Sequence, residues 1–371
     1  CRGPLPDERG RRAGVRGALD DQADRVGSRR PGSRRQAGRW LVGLWLAAIG
    51  PPATAAGGYG PAQQRCHLGD RQIAESSGVA SASWSDDVVW THNDSGDRPR
   101  FFAVSTTSCA TLAVYAVSGA EAVDWEDMAR SERTLYLGDI GDNAGRRPSV
   151  TVYEVAEPGA DDPAGTVPPT ARRVLRYPDG AHDAESLLVD PTTGRLVVVT
   201  KVATGRSGVY RAPPGGDGVM EKLAEVTVTG LAPLTTGADA TAERIIVRTY
   251  FDAYEWDVLP GDTLAGALAR RPAPVALPIT LQGEAIAYTR DGQGLWTTSE
   301  SEGAPVHLLR RLLAQAPTPS SAGGDGGAAA PGGGGGGRGA LVVGLALAGG
   351  ATLVALVARR VVAGRHSDSS A

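Results

Sequence analysis

A five-fold repetition of short β segments is the feature that most constrains how this chain can fold. Between residues 66 and 314, short runs rich in β-branched and aromatic residues are bounded by Gly, Pro, Asp or Ser, and five of them begin with an acid. The acids recur about every fifty residues, which is typical of β-propeller blades with up to four strands each. They are Glu75, Glu126, Glu185, Asp239 and Glu284. The sequence therefore predicts an all-β chain that closes into a five- or six-bladed β-propeller.

Two details of this interpretation stay open. Acids in front of strands are also ordinary turn residues, and a sixth blade could have diverged too far to be visible. The segment RCHLGDRQI, residues 65–73, precedes the first repeat, and we expect it to supply an outer strand that closes the ring with the last one. Only DTLAGALARR, which begins at Asp262, has the pattern of a helix.

The repeated acids predict a cation site. The innermost strands of a propeller start at one face and surround a central channel, so the acids are expected to form a ring of carboxylates at the channel mouth. Like charges at close range repel, and raised pKa values or a bound cation relieve that repulsion. Oxygen ligands suit calcium, which takes roughly six to eight of them. We therefore expect calcium to be held by Glu75, Glu126, Glu185, Asp239 and Glu284, with a water-filled channel as the alternative.

The loops after the second strand of each repeat are expected to lie at the same mouth. The candidate ligand-binding residues in and near these loops are His92, Asp94, Asp139, Asp142, Asn143, His182 and Lys201. Histidines beside carboxylates hold zinc or carry protons in many proteins, but these two follow no fixed ligand spacing. The run GDIGDN also fits ordinary turn chemistry.

The two ends of the chain predict export and a membrane anchor. RWLVGLWLAAIG has the basic flank and short apolar run of a secretory signal. ALVVGLALAGGATLVALVA is uncharged and long enough to span a bilayer, and the arginines after it predict a cytoplasmic end. The expected organisation is a disordered or wrongly assigned basic extension (1–39), a signal-peptide h-region and cleavage region (40–56), the β-propeller (66–314), a Gly/Pro-rich linker (315–339), a single C-terminal transmembrane helix (340–358) and a cytoplasmic tail (359–371). The predicted location is the cell membrane, single-pass, with the propeller outside the cytoplasm.

Cysteine content, net charge and the absence of two motifs limit the possible partners and the possible kinds of active site. Cys66 and Cys109 are the only cysteines in the predicted exported region, and an oxidising compartment favours a disulfide between them, although sequence does not give their separation. A net charge of −3 without a basic patch in the folded region argues against a nucleic-acid partner. The chain has no Gly-x-Ser-x-Gly elbow and no phosphate-cradling glycine loop, which removes support for those two kinds of site.

Several stretches resemble a known group of proteins. ESSGVA, WTHNDSGD, DWEDMA, LYLGDIGDN and VRTYFDAYEW are similar to segments of secreted, membrane-tethered actinobacterial β-propeller proteins, which carry a generic propeller or WD40-like description. The resemblance covers about residues 66–314. More distantly, the arrangement resembles calcium-dependent phytase-like and lactonase-like propellers, in which acids at the channel mouth hold calcium that polarises the substrate. Their ligand sets do not match this sequence residue by residue, so the resemblance implies a fold and no catalytic assignment.

Two functions are compatible with these patterns. The first is an extracytoplasmic, membrane-anchored binding module whose acidic mouth takes calcium and an unknown small ligand or extracellular protein. The second is a metal-dependent hydrolase of phosphate esters or lactones, with calcium as Lewis acid and His92 or His182 as proton carrier. The sequence leaves open whether the protein is an enzyme.

Overall fold

The computed structural model describes residues 58–312, which contain five antiparallel sheets arranged as the five blades of a β-propeller. The predicted basic extension, signal peptide, linker, transmembrane helix and cytoplasmic tail lie outside these residues. Among residues 58–312, helices long and apolar enough to cross a bilayer are absent.

Each blade contains four antiparallel strands that run from the channel to the periphery. In blade 1 they are Ser76–Ser81 (β2), Val88–Asn93 (β3), Arg100–Ser105 (β4) and Thr111–Val117 (β5). In blade 2 they are Trp125–Ser131 (β6), Thr134–Asp139 (β7), Val150–Ala156 (β8) and Ala171–Arg176 (β10). In blade 3 they are Ala184–Val189 (β11), Leu196–Thr200 (β12), Arg206–Arg211 (β13) and Glu221–Thr227 (β15). In blade 4 they are Thr235–Ala240 (β16), Arg244–Thr249 (β17), Asp252–Asp257 (β18) and Ala273–Ala276 (β19).

Blade 5 is built from both ends of the described chain, and this closes the ring. Its strands are Gly283–Tyr288 (β20), Gly294–Ser299 (β21), Pro305–Arg310 (β22) and, at the periphery, Gln63–His67 (β1). β1 pairs antiparallel with β22, and the Leu312 N–H donates to the Gly58 carbonyl over 2.8 Å. The strand expected within residues 65–73 therefore lies at the predicted position but starts two residues earlier, and the ring has five blades.

Three short elements complete the fold. Gly165–Val167 (β9) adds a parallel strand to the outer edge of blade 1, and Gly218–Val219 (β14) does the same for blade 2. The helix Leu264–Leu268 (α1) lies inside the predicted helical segment, and its N-cap Thr263 accepts a hydrogen bond from the Gly266 N–H.

The hydrophobic core lies between the blades. Five clusters of buried apolar side chains fill the five junctions between neighbouring sheets. At the junction of blades 1 and 2, Trp90 and Phe101 pack with Trp125 and Tyr153. Gly78 permits this approach, because a Cβ there would lie 2.5 Å from His92 Nε2 and 2.6 Å from the Met128 nitrogen. Each blade presents apolar side chains on both of its faces. The closed ring therefore contains five cores, one between each pair of neighbouring blades.

A disulfide reinforces the closure. Cys66 in β1 is bonded to Cys109 in the turn between β4 and β5, with 5.7 Å between the two Cα atoms. The bond links the closing strand of blade 5 to blade 1, so it crosses the junction at which the two ends of the ring meet.

Candidate functional site at the channel mouth

Every inner strand carries a β-bulge at the same place. The first paired residues of the five inner strands are Ser76, Trp125, Ala184, Thr235 and Gly283, and the pairing register shifts directly after each of them. A bulge leaves a residue unpaired and turns its side chain away from the regular alternation. The residues at the shifted positions are Ser77, Glu126, Glu185, Thr236 and Glu284. Three blades thus place a glutamate at the channel mouth, and blades 1 and 4 place a hydroxyl there.

The structure brings together three of the five acids predicted to bind metal. Glu126, Glu185 and Glu284 are buried, with about 4–5% of each exposed. Glu75 is exposed and lies just before β2, where its backbone bridges to that of Glu300. Asp239 lies three residues after the equivalent position, near the far end of the channel, where its carboxylate accepts from the Ala240 and Tyr288 N–H groups.

Two of the buried glutamates have no hydrogen-bond donor. Among residues 58–312, no protein group donates a hydrogen bond to the carboxylates of Glu126 or Glu284. Burial raises the pKa of both groups, with further contributions from Glu185 in each case. The oxygens of both side chains keep some contact with solvent, and a proton or a cation would relieve the cost that remains from holding these charges close together in a buried place.

Glu185 is the glutamate that has a cationic partner. Lys201, which follows β12, makes an ion pair with Glu185 and donates to the Tyr250 hydroxyl over 2.9 Å. Burial raises the pKa of Glu185 to about 8, while Lys201 counteracts the shift. Burial opposes the charge on Lys201, yet Glu185 keeps its pKa well above the ordinary value. One lysine therefore offsets one of the three glutamates.

Three carboxylates lie close enough together to bind one cation, on the side of blades 1 and 2. One carboxylate oxygen each from Asp94, Asp124 and Glu126 can be chosen so that all three lie within 4.8 Å of one another. Burial, followed by repulsion from Asp94, raises the pKa of Asp124 to about 7. Gly141 packs directly against the cluster, since a Cβ there would lie 2.2 Å from Glu126 Oε1 and 2.4 Å from Asp124 Oδ2. Three converging carboxylates without nitrogen or sulfur ligands fit calcium.

Asp139 and Asp142 position the backbone next to this cluster. Asp139 accepts the Asp124 N–H over 3.0 Å and makes an ion pair with Arg147 at 2.9 Å. Asp142 accepts the Arg147 N–H over 2.7 Å. Both are buried, whereas Asn143 is exposed. The run GDIGDN therefore combines turn chemistry with the positioning of Asp124.

The two histidines predicted for the mouth make their ring contacts with groups other than the three glutamates. His92 is fully buried between blades 1 and 2, where its ring meets Trp125 edge-on at 5.5 Å and its pKa is lowered by burial. His182 lies in the loop before β11, but its Nε2 contacts Asp179 Oδ1 at 2.9 Å and the Tyr210 hydroxyl at 3.1 Å. Neither ring contacts Glu126, Glu185 or Glu284 among the described residues, and the prediction that the two histidines bind a ligand at the mouth stays a prediction.

The candidate residues named from the sequence leave out Asp124, Tyr250 and Glu300, although the loops TYFDAY and TSESEG, which contain the last two, are among those expected at the mouth. Asp124, Tyr250 and Glu300 all contribute, and burial, followed by repulsion from Asp94, raises the pKa of Glu300 to about 8. A positional signal exists, because the residue directly after the second strand faces the mouth in several blades. Asp94, Lys201, Tyr250 and Glu300 occupy that position.

Comparisons with known proteins give distant structural similarity only. No protein-family model matches the chain, and neither does any curated protein sequence. A gluconolactonase from Xanthomonas campestris is 12% identical with a TM-score of 0.39, covering 64% of this chain and 73% of its own. A glutaminyl cyclase from Myxococcus xanthus is 12% identical with a TM-score of 0.42, covering 68% of this chain and 97% of its own. Neither similarity is high enough to transfer an activity.

Proposed function

We propose that this protein is a calcium-dependent binding propeller, anchored in the cell membrane with its propeller outside the cytoplasm. The observation that carries the proposal is the burial of Glu126 and Glu284 without a hydrogen-bond donor among the described residues. A calcium ion between Asp94, Asp124 and Glu126 would neutralise the most crowded part of the mouth. Glu284 and Glu300, on the side of blade 5, then remain for a ligand.

Apolar side chains around the mouth support a binding role. The loops that lead into β6, β16 and β20 expose Val123, Leu231, Ile279 and Leu281, with between 56% and 85% of each residue accessible. Exposed apolar groups around a polar centre are typical of surfaces that bind partners. An extracellular protein or a small ligand with a cationic group would match both the apolar rim and the acidic centre.

A hydrolase is the second candidate, and the raised pKa of Glu300 favours it. Burial, followed by repulsion from Asp94, raises the pKa of Glu300 to about 8, so this carboxyl group holds a proton at neutral pH, as a general acid must. Glu300 is outside the cluster of Asp94, Asp124 and Glu126, so it can carry a proton while those three hold a cation. Calcium would polarise a phosphate ester or lactone, and Glu300 would donate a proton to the leaving oxygen. His92 is fully buried, which makes it a poor proton donor to a bound substrate.

Calorimetric titration of the purified full-length protein with calcium tests the cation site. The proposal predicts saturable binding that Glu126→Gln weakens by about 10-fold or more, because one charged ligand is lost. Glu243→Gln is the matched control, since Glu243 is an exposed glutamate outside the mouth. Equal affinities for the two variants, or no heat of binding in the unaltered protein, would refute the proposed site.

Turnover assays separate the two candidate functions. The same preparation is incubated with p-nitrophenyl phosphate and with δ-valerolactone, with and without a chelator. Turnover that the chelator abolishes, and that a Glu126→Gln and Glu185→Gln double variant lacks, supports the hydrolase. Calcium binding without turnover of either substrate supports the binding module.

A further inference from the structure

A cavity opens at the end of the channel opposite the acidic mouth. It has a volume of about 310 Å³ and is lined at the ends of the inner strands by residues from all five blades, among them Ser81, Arg130, Asp190, Asp239 and Thr289. A volume of this size is at the lower end of the range found for small-molecule sites. The cavity is separate from the site described above, because Asp239 lies at the far end of β16 from Thr236.

Arg130 gives the cavity a cation with spare hydrogen-bonding capacity. Its Nε donates to the Ser81 carbonyl over 2.6 Å and its Nη1 to the Glu132 carbonyl over 2.8 Å. These two bonds fix the guanidinium in place. Within residues 58–312, Nη2 has no acceptor and Arg130 makes no ion pair with a carboxylate. A guanidinium held by backbone carbonyls is prepared for a planar anion such as a carboxylate.

Asp239 gives the same cavity an anion. Its two oxygens each accept one backbone N–H, from Ala240 and from Tyr288, over 2.8 Å. Each oxygen retains capacity for another donor. Burial raises the pKa of Asp239 to about 6, and Arg130 lowers it, so the two groups interact although they form no ion pair with each other.

The other charged groups that line the cavity are already satisfied or lie at its edge. Asp190 accepts from Thr192 and Thr193 and makes an ion pair with Arg211. Arg290 makes two hydrogen bonds to Asp86. Glu132 is exposed. Arg130 and Asp239 therefore remain as one cation and one anion. Both line the cavity, and they form no ion pair with each other.

We propose that this cavity binds a small zwitterion of the α-amino-acid class, whose carboxylate pairs with Arg130 and whose ammonium group pairs with Asp239. A simple anion would meet repulsion from Asp239, and a simple cation would meet repulsion from Arg130, so a ligand carrying both charges suits the cavity best. The site is independent of calcium at the mouth.

Calorimetry with the full-length protein tests the proposal. The twenty standard L-α-amino acids are titrated one at a time in an amine-free buffer, at concentrations up to the millimolar range. At least one should bind with one-to-one stoichiometry. For that amino acid, the analogue without the ammonium group and the analogue without the carboxylate should each bind about 10- to 100-fold more weakly, because each loses a charged hydrogen bond.

Variants then locate the binding. Arg130→Gln and Asp239→Asn should each weaken binding by a similar factor, whereas the exposed residues changed in Arg65→Gln and Asp161→Asn should leave it unchanged. Because Asp239→Asn disturbs two backbone hydrogen bonds, Ala242→Trp provides a second variant that obstructs the cavity from an exposed position. Absence of binding by every amino acid overturns the proposal. So does binding that survives both Arg130→Gln and Ala242→Trp, or an analogue with one charge that binds as tightly as the amino acid.

Discussion

At the scale of single residues, Asp127 connects three blades through one carboxylate. It is fully buried on the channel axis, where it accepts the N–H groups of Met128 and Leu187 over 2.8 Å and of Ala238 over 3.1 Å. These donors belong to β6, β11 and β16. Burial raises the pKa of Asp127, while the three N–H donors oppose the shift. The side chain thus stabilises the ring at a point where the strands themselves do not pair.

Removing the Asp127 carboxylate should be strongly destabilising. Asp127→Ala leaves three buried N–H groups without an acceptor, and we expect the free energy of unfolding to fall by about 3 kcal/mol or more. Asp127→Asn should cost less, because one oxygen remains as an acceptor. Urea denaturation measures both, and Asp161→Asn at an exposed position is the control. An Asp127→Ala protein that unfolds at the same urea concentration as the unaltered one would contradict this role.

The carboxyl groups of the mouth predict a dependence of stability on pH. Burial raises the pKa of Asp124 to about 7 and those of Glu185 and Glu300 to about 8. Between about pH 4 and pH 8 the folded state therefore holds protons that the unfolded state has lost, so stability falls as the pH rises. In the presence of a chelator, the melting temperature should drop by several degrees between about pH 5 and pH 8.5.

Calcium and a charge-removing variant provide the checks on this dependence. Saturating calcium should reduce the drop in melting temperature, because the cation replaces the protons as the neutralising charge. Glu126→Gln should also reduce it, even without calcium. A melting temperature that rises steadily through the same pH range in chelator would show that the buried carboxylates do not control stability.

At the scale of elements, the sequence predicts where the strands lie better than it predicts which residues of neighbouring strands pair. The β-branched runs and the period of the acids lead to an all-β propeller, and the sheets confirm it. The positions of Glu126, Glu185 and Glu284 follow from the same period. Asp239 does not align, because TTGADA places Thr236 at the bulge and the acid further along the strand. A bulge depends on how two strands pair, and local sequence patterns do not determine that pairing.

The loop after β7 offers a test of the cluster that does not alter its charge. Gly141→Ala would place a methyl group about 2.2 Å from Glu126 Oε1, so the carboxylates of Glu126 and Asp124 must move. We expect calcium affinity to fall by about 10-fold or more. Gly69→Ala is the matched control, since a Cβ there meets nothing within 4 Å. Calorimetry compares the two, and an unchanged affinity for Gly141→Ala would place the calcium elsewhere.

At the scale of the whole molecule, closure depends on contacts that join distant parts of the chain. The sequence suggests a strand near Cys66 that completes the last blade and a bond from Cys66 to Cys109, and the structure contains both. No sequence pattern predicts the parallel strands β9 and β14. They are short, exposed segments whose pairing is set by the neighbouring blade and not by their own composition.

Loss of the disulfide should loosen the ring. The bond encloses a separation of 43 residues, and we expect its removal to lower the free energy of unfolding by about 2–4 kcal/mol. Urea denaturation with and without reductant measures the effect. A Cys66→Ser and Cys109→Ser double variant should match the reduced protein and should not respond to reductant. Equal stability of the oxidised and reduced proteins would show that pairing of β1 with β22 suffices for closure.

The hydrogen bond between Leu312 and Gly58 has a practical consequence for how this protein is handled. Both ends of the described chain leave the propeller side by side, beyond the last residues of β22 and before the first of β1, at the end of the channel away from Glu126. An affinity tag, a fluorescent fusion or a sensor surface joined at either position therefore leaves the carboxylates open to solvent. The end that carries Arg130 would be the one facing the support.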